Sequence, residues 1–113
     1  MTEVTIIQGG VLKIDDTGPA LRVMLLDEDG NPVNLTTFDA TLRVRKPYTD
    51  APKVDTSMTI FDAERGIVEY DWSASDTDEA GIYKAEVETT DGTDTISYPS
   101  DHYFRIHIME DLT

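Results

Sequence analysis

The chain of 113 residues carries 23 acidic against 9 basic side chains, a net charge of −14; such a surface repels phosphate backbones and anionic lipid, so neither nucleic acid nor membrane is an expected partner. Cysteine is absent, which excludes disulfides, thiolate metal sites, Cys nucleophiles and iron–sulfur clusters; no apolar run reaches the ~18 residues of a membrane-spanning helix, and no basic-then-apolar leader opens the chain. Leu, Ile, Val and Phe number 27, which is enough for one modest core, read as a single domain over 1–113, and too little for a large cofactor-binding α/β enzyme.

The recurring hydrophobic period is two rather than 3.6. Val4 and Ile6 give a first short strand, and Val11, Leu12 and Ile14 a second. Leu21, Val23 and Leu25 alternate with Arg22 and Met24, and stop at Asp27-Glu28-Asp29-Gly30-Asn31-Pro32. Those six residues are nearly all turn formers and read as a hairpin loop. Ala40, Leu42 and Val44 alternate with Thr41, Arg43 and Arg45 up to Pro47, which cannot donate to a ladder. Val54, Thr56, Met58 and Ile60 form one further alternating run, and Asp62 to Gly66 turns the chain. Val68, Tyr70 and Trp72 share a face. After an acidic corner over 76–81 that could hold one helical turn, Tyr83, Ala85 and Val87 alternate with Lys84, Glu86 and Glu88. Asp91-Gly92 signals a two-residue hairpin, Tyr98-Pro99-Ser100 bends the chain, and Phe104, Ile106 and Ile108 make the last strand.

Seven to nine short strands with one polar face each predict antiparallel sheets packed face to face: an immunoglobulin-like β-sandwich without a disulfide, with a small barrel as the other solution. The corner sharpens this. Asp76, Gly81 and Tyr83 have the arrangement of a tyrosine corner, where the hydroxyl bonds back to the chain just upstream. Ala85 then stands where antibody domains place a cysteine. Trp72 reads as core, with an indole N–H that needs a partner once buried.

Catalysis finds little support in the sequence. His102 and His107 are an odd number apart, so on one strand they would face opposite ways. Asp101 beside His102 lacks an activated nucleophile, and with so many carboxylates a close pair arises by chance. Asp27 to Asn31 starts like a calcium loop, but the sixth and twelfth positions hold Pro32 and Phe38, where the loop needs Gly and Glu. No catalytic residue, metal or cofactor is expected. Asp outnumbers Glu 15 to 8, and Lys occurs four times; this reads either as a salt-adapted surface or as Asp simply filling turns, where most of the Asp residues sit. Arg43, Arg45 and Lys46 gather at one strand and its end. They read either as a solvated face with internal ion pairs or as a docking stripe for an acidic surface on another chain. Tyr98, His102 and Tyr103, with Tyr48, read as an aromatic contact group or as residues packed under the last turn.

Taken in order, Gly9-Gly10, Thr17 to Leu21, Leu25 to Thr36, Ala40 to Arg45, Gly66 to Trp72, Asp76-Thr77, Ala80 to Val87, Asp91-Gly92, Tyr98-Pro99 and Tyr103 to Ile108 resemble the N-terminal domain of phage baseplate upper proteins. The resemblance implies an immunoglobulin-like sandwich with a virion structural role, assembled in the host cytoplasm. The partners it implies are other virion proteins (capsid, neck or tail), met in multiple copies in a symmetric assembly. It carries over no catalytic residues. Read as complete, the chain lacks the stalk that would carry a receptor-binding head. The alternative is a free-standing carbohydrate or cell-surface binding module.

Overall fold

The computed structural model describes residues 1–49 and 51–110. Ten strands follow in order: β1 (Glu3–Gln8), β2 (Val11–Lys13), β3 (Leu21–Leu26), β4 (Asp39–Arg45), β5 (Pro52–Ser57), β6 (Thr59–Asp62), β7 (Ile67–Tyr70), β8 (Gly81–Thr90), β9 (Thr95–Tyr98) and β10 (Phe104–Met109). Among the described residues there is no helix, so the corner over 76–81 is built from turns alone.

One sheet has the order β1-β3-β7-β6, the other β2-β10-β8-β4-β5, with β9 also paired to β8. In immunoglobulin lettering these are A-B-E-D and A′-G-F-C-C′, which identifies the sandwich as immunoglobulin-like. The inward residues are those picked out by alternation: Leu21, Val23 and Leu25 on β3, Leu42 and Val44 on β4, Tyr83, Ala85 and Val87 on β8, Ile106 and Ile108 on β10, all essentially buried.

Several local expectations change. The run from Val54 to Ile60 is two strands in two sheets, β5 on β4 and β6 on β7. The chain changes layer at Met58, whose N–H donates to the Ala40 carbonyl at 2.9 Å. A second change of layer separates β1 from β2 at Gly9-Gly10. Gly9 has φ +78°, and a Cβ there would lie 2.3 Å from the Ala20 carbonyl oxygen, so only glycine fits. As a result β2 runs parallel to β10 (Val11 beside His107, Lys13 beside Met109) in an otherwise antiparallel sheet.

The Asp27–Pro32 loop closes on itself, with the Asp27 carboxylate accepting from the N–H groups of Asp29 and Asn31. It is not a hairpin between sheet neighbours: the chain follows β3 back only as far as Val33, which donates to the Leu25 carbonyl, and then crosses to β4. The β8–β9 pairing ends at Thr90 opposite Thr95, so four residues rather than two make that loop. The Asp91 carboxylate selects this longer turn by accepting from the N–H groups of Thr93 and Asp94. Those backbone bonds also hold its carboxyl pKa below the usual carboxylate range.

A candidate docking face

Residues 70–83 make a closed polar corner. The Tyr83 hydroxyl donates to the Glu79 carbonyl at 2.8 Å, completing the tyrosine corner. The Asp76 carboxylate, buried, accepts from the Tyr70 hydroxyl at 2.7 Å and from the Ser73 N–H at 2.9 Å. Trp72 packs edge-on against Tyr70 and donates its indole N–H to the Gly9 carbonyl at 3.0 Å, which ties the corner to the layer change. Thr77, fully buried, donates to the Asp16 carbonyl at 2.9 Å. Among the described residues no buried side-chain polar atom lacks a partner. Burial and, second, the bond to Asp76 push the Tyr70 phenol well above its ordinary value; burial does the same for Tyr83 and Tyr98. Gly81 opens β8. Lys46 and Lys53 are drawn into this region: Lys46 pairs with Glu79 and Lys53 with Asp78.

The outer face of the β2-β10-β8-β4-β5 sheet is different. Its residues fall into rows set by register. Val11, His107 and Ile82 lie abreast. The next row is Arg105, Lys84 and Arg45. Beyond it come Glu86, Arg43 and Asp55. Arg43 pairs with Glu88 at 2.8 Å and Asp55 at 3.4 Å, and the hydrogen bond to Glu88 is the main reason its guanidinium is held above its ordinary value. Tyr103 lies over the Lys84 ammonium, 4.8 Å from ring centre to nitrogen. Two shallow grooves, of about 260 and 200 Å³, meet at Lys84 and Tyr103; Arg43, Arg45 and Glu86 line the first, Ile82 and Arg105 the second.

The three basic residues singled out by sequence therefore part company. Arg43 is held within an acidic cluster, Lys46 belongs to the corner, and Arg45 joins Lys84 and Arg105. Those last two were missed because cross-strand register, not local spacing, aligns them. The aromatic group divides as well. Tyr98 is opposite the inward Val87 and is buried, 1% exposed; it packs under the bend rather than on the surface. Tyr103 is 41% exposed. His102 lies outside β10, its Nδ1 2.6 Å from the Asp101 carboxylate and its Nε2 3.6 Å from that of Glu3. Tyr48 is exposed. Among the described residues no group of three or more carboxylate or imidazole side chains is placed to hold a metal ion.

The BppU N-terminal domain family, that of the phage baseplate upper protein, matches residues 11–112. The chain belongs to that family. Its sandwich is similar to the N-terminal domain of phage TP901-1 ORF48, at 17% identity over 91% of this chain and 85% of that one, with a TM-score of 0.56. It also aligns with the Lin-41 filamin domain at 16% identity over 93% of this chain and 90% of that one, with a TM-score of 0.46. No curated protein matches. As a BppU N-terminal domain the chain has a virion structural role, in association with other virion proteins. The family match starts at Val11, so β1, which pairs along β3, lies ahead of the matched region.

Proposed function

We propose that the chain is an accessory structural protein of a tailed-virus particle that docks in multiple copies onto capsid, neck or tail and baseplate components and catalyses no reaction. The family match across 11–112 carries this reading. The form of the molecule supports it. A sandwich offers faces and edges, and β1, β6, β2 and β5 end their sheets where another chain can add a strand. Repetition on a symmetric particle turns modest contacts into firm attachment. The net charge of −14 keeps unassembled copies apart, and salt adaptation would make that charge tolerable where the Debye length is short.

The test is an epitope-tagged copy expressed during infection with the phage that carries it, followed by purification of intact particles. The tagged chain is expected to sediment with particles at a fixed copy number greater than one. If it stays wholly in the soluble fraction, the virion assignment is wrong.

A further inference from the structure

We infer that Asp29-Gly30, rather than Asp91-Gly92, is a covalent modification site, where the aspartyl peptide link converts slowly to an isoaspartyl one with water as the only co-reactant. The reaction needs no partner chain, so it stands whether or not the protein joins a particle.

The chain holds two Asp-Gly pairs, at 29–30 and 91–92. Such a pair favours this chemistry because glycine has no side chain to hinder its own amide nitrogen and leaves the backbone free to bend. With the Asp29 carboxyl protonated, the Gly30 nitrogen attacks Cγ. The N–C bond forms, the nitrogen gives up its proton, and the carboxyl hydroxyl leaves as water, closing a succinimide ring. Water then opens the ring. Attack at the side-chain carbonyl restores aspartate, whereas attack at the main-chain carbonyl leaves the backbone running through Cβ and Cγ. One water leaves and one enters, so the mass is unchanged and nothing is oxidised or reduced.

The two pairs have matched nucleophiles. Gly30 and Gly92 have φ of +83° and +93°, each with open space where a Cβ would stand. Both amide N–H groups already donate, Gly30 to the Asp27 carbonyl at 3.0 Å and Gly92 to the Thr90 hydroxyl at 3.2 Å. The carboxyls differ. Asp91 accepts from the N–H groups of Thr93 at 2.9 Å and Asp94 at 2.7 Å, bonds that favour its ionised form. A carboxylate so held has to break these bonds before Cγ can swing toward the nitrogen, and it has no hydroxyl to lose as water. The Asp29 carboxylate is on an exposed residue and takes part in no hydrogen bond or ion pair among the described residues. The change would also register in the fold at this loop. The Asp27 N–H donates to the Asn31 carbonyl at 2.8 Å, and its carboxylate accepts from the Asn31 N–H at 3.0 Å. An isoaspartyl link inserts an extra backbone carbon between the two ends of that closure and opens it.

The test holds the whole chain warm in buffer for weeks, folded and, in parallel, unfolded in guanidinium chloride. Isoaspartate is then mapped by proteolysis, separation of the peptides and electron-transfer fragmentation, which distinguishes the isomers at equal mass. In the folded chain Asp29 is expected to convert at least about tenfold faster than Asp91, the rate equivalent of one hydrogen bond to a charged acceptor. In the unfolded chain the two rates are expected to draw level. Conversion at Asp29 is expected to lower the hydrogen-exchange protection of the Asp27 and Asn31 amides. Asp29→Glu, whose longer side chain would have to close a larger ring, is expected to abolish conversion in this loop and leave the Asp91 rate as it was. Asp91 converting as fast as Asp29 in the folded chain overturns the inference. So does a folded chain that converts at neither pair, because the Gly30 bond to Asp27 would then govern. A rate ratio that persists in guanidinium chloride overturns it as well, because the flanking sequence rather than the fold would then set the difference.

Discussion

The corner at 70–83 and the outer face of the five-strand path treat polar groups in opposite ways. At the corner Asp76, Tyr70, Ser73, Tyr83 and Trp72 each meet a partner within 3.0 Å, and Asp76, Trp72 and Tyr83 are buried. On the sheet face Arg45, Lys84 and Arg105 stand side by side with like charges. Around Arg43, by contrast, the signs are interleaved, with Glu88 and Asp55 as its partners. The corner is where the fold is held; the sheet face sets like charges abreast on neighbouring strands.

The comparison can be broken at the corner first. Trp72→Ala removes the largest buried body there together with the donor to Gly9, and is expected to cost about 3–5 kcal/mol, read as a lower urea midpoint at unchanged slope. A loss below about 1 kcal/mol would mean that the corner is not what holds the layers. Asp76→Ala strands the Tyr70 hydroxyl and the Ser73 N–H and is expected to cost about 2 kcal/mol by the same measurement.

Alkaline titration sharpens the contrast. The Tyr70, Tyr83 and Tyr98 phenols are raised, each chiefly by burial, so the folded state prefers them protonated. Their contribution is complete below the unfolded value of about 10 and is lost as pH climbs through the raised folded values. Melting temperature is therefore expected to fall above about pH 10, less steeply in Tyr70→Phe. The smallest effect, and the one of opposite sign, is at the sheet face. Lys84→Glu replaces two repulsive cross-strand neighbours by attractive ones and loses the Tyr103 contact, for a net gain of about 0.5 kcal/mol. That gain should vanish in 1 M salt, where the Debye length is about 3 Å.

Much of this was legible in the sequence. Alternation reports which residues face the core, and it found the inward side of β3, β4, β8 and β10. It does not report which sheet a strand belongs to. Val54, Met58 and Ile60 keep their inward period straight through the change of layer, because both inner faces point into the same core. The tyrosine corner could be read because its residues are local in sequence. The basic row could not, because Arg45, Lys84 and Arg105 are aligned only by pairing between distant strands. The two readings of Tyr98 could not be separated for a related reason: its side is decided by pairing with Val87, beyond a turn whose length depends on where the Asp91 carboxylate accepts its bonds.

The two changes of layer, at Gly9-Gly10 and at Met58, also bear on chemistry outside the fold. Antibody domains fasten their layers with an oxidised sulfur bridge, whereas here continuous backbone makes the stitch and Ala85 fills the strand position of a cysteine. Folding is therefore complete without an oxidant, and thiol reagents or reductants have nothing to cut.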